Sequence, residues 1–342
     1  MRADGSAAER IDATRTQAAE AICDRVSGRV RDWRYVPPEA LWAESTAYRA
    51  ELAATLAIAG HVLGRRRCMD VAEAMLERIL AERVDGALWS VGRWCQFPVY
   101  CGLPIDWRDE LTRPDTTYTN PIVLYCLGVY HRITGDRRFA ASVRTSFDRM
   151  QAGAYFGDPA ALHHMTPEWV ALASFLWREE FPEYWQAARP IVDWVREGLV
   201  PGAALDFPFV TAVRMHLLLA ATGTEHLRGA IGPAIDAFLA DESWRYEHEH
   251  RDVRHLKELG EHVDIRANGA LAVAMRMFDL AAGEEVYTGT DHYRYLAAWM
   301  DAMRDTDGSC FGCRDIGTGR RFCLGSPPHY IQLWWILGGF HV

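Results

Sequence analysis

The sequence predicts an all-α protein, an (α/α)6 toroid of six inner and six outer helices, on three observations. Segments apolar nearly all round alternate with segments that carry charge on one face, the pattern of buried helices each backed by an exposed partner. A polar loop, apolar helix and glycine turn at Arg113–Phe139 superpose without a gap on Asp264–Tyr287, pairing Asn120 with Asn268 and Gly135 with Gly283, which marks a repeated helical hairpin. The connections are also asymmetric. Turns from buried to amphipathic segments are short, whereas return connections such as Arg83–Thr119 and Asp241–Asp264 are long.

Taken in order, the inner helices are expected at Tyr48–Leu63, Asn120–Thr134, Pro167–Trp177, Phe207–Thr222, Ile265–Ala282 and Pro328–Gly338. Their outer partners are expected at Cys68–Glu82, Arg137–Gln151, Glu183–Gly198, Glu225–Ala240 and Tyr287–Asp305. Residues 1–30, amphipathic and ended by Pro37 and Pro38, supply the outer helix that closes the ring, so that 1–342 form one domain. All long loops then gather where the inner helices begin, and six sets of unpaired backbone N–H groups converge on that rim.

A chain of 342 residues with 49% hydrophobic and 24% charged residues has the mass for a sizeable core and contains no Ser/Pro/Gly-rich linker. The net charge of -9 argues against nucleic-acid binding. No apolar run reaches the roughly 18 residues of a membrane span, and the N-terminus lacks a signal-peptide core, so the expectation is a cytoplasmic protein with no membrane span. The sequence leaves room for a homo-oligomer. Eight cysteines in such a chain read as reduced thiols.

The rim carries the candidate chemistry. Asp115, Asp206 and Asp264 each precede an inner helix, a pattern that fits both repeated helix caps and a ring of carboxylates facing one cavity. Tyr118 and His329 stand at the same end and join the three aspartates as catalytic candidates. Trp89, Trp94 and Trp107 in the first long loop, with Phe207, Tyr330 and Trp334 at helix starts, offer aromatic faces for a carbocation or for the apolar face of a sugar, and Asn120 and Asn268 complete the substrate-binding set. Cys310, Cys313, Cys323 and His329, spaced C-x2-C-x9-C-x5-H, fit either a structural zinc or free thiols. No other cofactor is indicated. His163, His164 and Glu168 form a weaker cluster before the third inner helix, and no phosphate loop, dinucleotide fingerprint or nucleophile elbow occurs.

At these residues the chain resembles the terpenoid cyclase and protein prenyltransferase superfamily. VDGALWSVGRW and RDTDGSCFG resemble the glutamine-tryptophan repeats of squalene-hopene cyclases, and RPDTT resembles their D-x-D-D-T acid motif, with Asp115 at the alkene-protonating position and Arg113 and Thr116 where that motif has aspartates. GVYHRITGDRRF resembles a segment of linalool dehydratase-isomerase, and the layout is also similar to (α/α)6 glycoside hydrolases and unsaturated-uronide hydrolases, which use rim aspartates and stacking tryptophans. The first resemblance implies acid-initiated cyclisation or isomerisation of a hydrophobic isoprenoid, a lyase or isomerase reaction with Asp115 as proton donor and Asp264 or Asp206 assisting. The hydrolase resemblance implies glycoside cleavage by a pair of these aspartates, and a third reading is a small-molecule-binding toroid without catalysis.

Overall fold

A computed structural model describes residues 46–90, 114–162, 165–199, 208–240, 262–294, 296, 311–315 and 321–324. Nine α-helices occur among them: α1 Thr46–Val62, α2 Arg66–Ala81, α3 Thr119–Thr134, α4 Ala140–Ala152, α5 Thr166–Leu176, α6 Pro182–Gly198, α7 Pro208–Thr222, α8 Gly232–Ala240 and α9 Ile265–Ala282. The odd-numbered helices are the inner ones, and each packs on the next, α1 on α3, α3 on α5, α5 on α7 and α7 on α9. This is five-sixths of the expected inner ring. The sixth inner helix and the N-terminal outer helix fall outside the described residues, as does most of the outer segment expected after Tyr287.

Burial follows the apolar pattern. Thr119 through His131 of α3 are all buried, whereas α2 buries only Cys68, Ala72, Met75, Leu76 and Ile79. An outer helix needs one stripe against the ring; an inner helix is enclosed on every side. The inner-to-outer turns at Gly135 and Gly283 hold φ of 70° and 71°, and a Cβ added at either would meet nothing within 4 Å. Glycine is therefore demanded there by left-handed backbone, with the Gly135 N–H donating to the His131 carbonyl as a helix cap. The repeat extends to packing, since Tyr130 against Phe139 has its counterpart in Phe278 against Tyr287, with ring centroids 5.8 and 4.9 Å apart. At Gly128 the reason is space instead: a Cβ would lie 2.9 Å from the Leu176 Cβ, where α3 and α5 approach.

One element lies outside the helical pattern. Strands β1 His262–Asp264, β2 Phe311–Asp315 and β3 Arg321–Leu324 form an antiparallel sheet in the order β1-β2-β3. Its register pairs Asp264 with Cys313 and Cys313 with Phe322. The sheet thereby fixes the chain immediately before α9 against the C-terminal region.

Candidate functional site

The rim at α3 is a set of structural bonds. Asp115 is buried, and its Oδ1 accepts from the Thr117 N–H at 3.0 Å while Oδ2 accepts from the Thr119 N–H at 2.9 Å. The Thr117 hydroxyl lies 2.8 Å from both oxygens. This carboxylate caps its own helix, and the cap reading of the sequence holds for it. Asn120 is equally engaged. Its Oδ1 accepts from the Trp89 N–H at 2.8 Å, and its Nδ2 donates to the Asp115 carbonyl at 2.7 Å and to the Tyr155 hydroxyl at 3.1 Å. Its expected substrate-binding side chain thus ties two loop segments together.

Trp89 is fully buried and donates Nε1–H to the Ile79 carbonyl at 2.6 Å, so it is a core residue and not a stacking platform. The turn before it is locked by Asp85, whose Oδ1 accepts from the Ala87 and Leu88 N–H groups, with Gly86 at φ 77°. The VDGALW segment therefore works as a clamp between α2 and α3. Tyr118 is the N-cap residue of α3 and packs half-buried against the core.

Asp264 ends β1 directly before α9, and Asn268 lies in the first turn of α9. Asp206, Phe207, Trp94, Trp107, Tyr330, Trp334, Cys310 and His329 lie outside the described residues, so neither the zinc expectation nor these rim positions are placed. Cys313 and Cys323 stand on β2 and β3.

At the start of α5, Met165 holds φ 65°, the one left-handed non-glycine residue among those described. Glu168 in that first turn is wholly buried, and its Oε1 accepts from Arg214 Nε of α7 at 2.8 Å. The second oxygen of Glu168 and the Thr166 hydroxyl have no partner among the described residues. Arg214 in turn lies over the Trp194 ring of α6, 5.0 Å from its centroid.

Buried between the inner helices lie groups to which the sequence pattern gave no chemistry. Tyr125 of α3 meets Trp169 of α5 edge-on at 5.2 Å and His216 of α7 at 6.1 Å, all three at most 1% exposed. Burial pushes His216 well below the usual histidine range, leaving a neutral imidazole.

Glu51 of α1 is buried too. The face of α1 against α2 is marked by Arg49, paired with Glu82 at 2.6 Å, and by Gly60 against Cys68. Glu51 lies two residues from Arg49, about 200° around the helix, and so turns away from α2. It is 1% exposed and both carboxyl oxygens lack a partner among the described residues, and burial pushes it well above the usual carboxylate range. Cys126 of α3 is near enough that burial and then Glu51 raise its thiol. The signal in the sequence was a single acid in the otherwise apolar run ELAATLAIAG.

These features define the class: a helical toroid. No family model and no curated protein matches the chain. Among solved structures it is similar to the GH76A alpha-1,6-mannanase of Salegentibacter sp. HEL1_6, at TM-score 0.57 and 11% identity, covering 95% of this chain and 98% of that one. It is similar also to an inactive variant of that enzyme, carrying asparagine at two consecutive aspartates and in complex with alpha-1,6-mannotriose, at TM-score 0.59 and 11% identity over 95% and 99% of the two chains.

The likeness bears out the (α/α)6 toroid and overturns the isoprenoid reading, because the similar structures are glycoside hydrolases and one holds an oligosaccharide. The lyase or isomerase assignment and the hydrophobic substrate fall with it. Asp115, the supposed proton donor, has both carboxyl oxygens engaged by groups at the start of α3. No helix among the described residues is long and apolar enough to cross a membrane.

Proposed function

We propose that this protein is a glycoside hydrolase acting on a neutral α-linked oligosaccharide bound at the inner-helix N-terminal end. The observation that carries the reading is the fold likeness along nearly the whole of both chains to a mannanase that holds alpha-1,6-mannotriose. Glycoside cleavage uses two carboxyl groups, an acid for the leaving oxygen and a base or nucleophile at the anomeric carbon. Asp264 and Asp206, each next to the start of an inner helix, are the aspartates assigned to the second role; α7 and α9, which they precede, pack together.

One observation favours a second reading. The inactive mannanase variant is altered at consecutive aspartates, and this chain contains no Asp-Asp pair. A toroid that binds the sugar without cutting it fits that difference. The two readings separate in one experiment: incubation with alpha-1,6-mannotriose and a panel of neutral α-linked oligosaccharides, followed by mass spectrometry and by thermal melting with and without sugar. Hydrolysis that is lost in Asp264→Asn with the fold intact supports the enzyme. A sugar-dependent rise in Tm without cleavage supports the binding protein, and neither effect removes both.

A further inference from the structure

We infer that His131 and Glu180 form a proton-held latch between two neighbouring turns of the ring, which opens on one side when the pair loses its proton in alkaline solution. The inference is independent of the sugar reading. His131 is in the last turn of α3 and is 5% exposed. Its Nδ1 lies 2.7 Å from the Asp136 carbonyl, in the turn from α3 to α4, and its Nε2 lies 2.8 Å from Glu180 Oε1, in the turn from α5 to α6. A carbonyl oxygen and a carboxylate oxygen only accept, whereas a neutral imidazole carries a single N–H. A bare ring nitrogen at either distance would face oxygen lone pairs, and turning the ring over would set carbon atoms against both oxygens. The pair therefore holds one proton more than a neutral imidazole and an ionised carboxylate together. Arg137 Nη2, 3.8 Å from the same Glu180 oxygen, favours the ionised acid, so the arrangement is imidazolium against carboxylate.

The surroundings fit this state. The ring stacks on Trp177 at 4.7 Å with the planes 5° apart, and Trp177 donates Nε1–H to the Leu124 carbonyl at 3.0 Å, so the latch is built into the α3–α5 contact. The other charged groups at these turns are engaged elsewhere. The Asp136 carboxylate pairs with Arg138 at 2.6 Å, Arg138 also meets Glu73 and Glu77, Arg132 pairs with Glu179 at 2.8 Å, and Arg178 lies over the Phe175 ring. Once the proton leaves, the remaining N–H serves only one oxygen, and one of the two turns is released. The repeat supplies a contrast. Asp279 stands four residues before Gly283 as His131 stands four before Gly135, and it accepts from the Val286, Tyr287 and Thr288 N–H groups at 3.1, 3.0 and 2.7 Å. That turn depends on backbone donors, which do not titrate.

The test uses nitrogen NMR of the full chain, with His131 assigned through space from the Trp177 ring. At pH 7 both ring nitrogens of wild type are expected to carry protons. Glu180→Gln, whose side-chain amide can donate to a ring nitrogen, is expected to leave one of them without a proton. Hydrogen exchange followed by mass spectrometry then reads the latch itself. Between pH 7 and pH 9, protection of residues 135–140 is expected to fall at least about threefold relative to residues 283–288, a ratio in which the intrinsic pH dependence of exchange cancels. A bare ring nitrogen in wild type at pH 7 overturns the inference, and so does a protection ratio that stays constant with pH. Two protonated nitrogens in a folded Glu180→Gln overturn it as well, and the wild-type measurements decide the matter by themselves if that variant does not fold.

Discussion

Glu51 and Asp115 are both buried carboxyl groups near the start of an inner helix, and their settings are opposite. Asp115 has donors on both oxygens, so Asp115→Ala leaves the N–H groups of Thr117 and Thr119 unpaired and is expected to cost about 1–2 kcal/mol, read as a lower Tm. Glu51 has no donors among the described residues, and its effect runs with pH. Its folded-state pKa is raised, so its contribution is fully present below the ordinary glutamate value of about 4.3 and is lost as pH rises from there towards the folded value. Glu51→Gln removes this penalty. Its Tm relative to wild type is expected to climb between pH 4 and pH 8, and a difference that stays flat across that range would show that Glu51 does not hold its proton. The sequence made Asp115 conspicuous because it stands in a polar loop next to a helix start. Glu51 was hidden, because one acid in an alanine-rich run hardly changes the apolar character by which a buried helix is recognised.

At the scale of elements, α5 and α7 are joined through the pair of Glu168, 1% exposed in its side chain, and Arg214, 13% exposed. Removing the arginine takes away the one donor shown for this buried carboxylate among the described residues, so Arg214→Ala is expected to cost about 3–5 kcal/mol, whereas replacing both residues with methionine is expected to be close to neutral in a denaturant melt. The inner helices were legible to within a residue or two: α9 spans the expected Ile265–Ala282 and α3 begins one residue before the expected Asn120. The outer ones were less so. Helix α4 starts at Ala140, three residues after the expected Arg137, because Asp136 turns the chain by accepting from the Arg138 N–H at 2.9 Å. A π-helical turn at Leu227–Ile231 likewise precedes α8. The sheet was not legible at all. Its strands are three to five residues long and pair across a gap from His262 to Leu324, so they carry no periodic signal of their own.

For the whole molecule, the ring was readable because its cause is repeated: each inner helix is enclosed by two inner neighbours and an outer partner, which forces apolar residues onto every side. The substrate was not readable, since many chemistries occupy one toroid and the distinction rests on a few side chains at one end. RPDTT looked like an acid motif because a cap and a general acid both place an aspartate before a helix; only the bonds to Thr117 and Thr119 separate them. The same enclosure sets the order of local opening. Helix α3 buries 13 of its 16 residues and α5 buries 10 of 11, whereas α2 buries five of 16 and α4 four of 13. Amides open most readily where few buried contacts must be broken, so native-state hydrogen exchange followed by mass spectrometry is expected to show α3 and α5 as the slowest peptides and α2 and α4 as faster by at least about tenfold. Equal protection of inner and outer helices would mean that the ring opens only as one unit, and that its stability belongs to the closed circle and not to the inner layer.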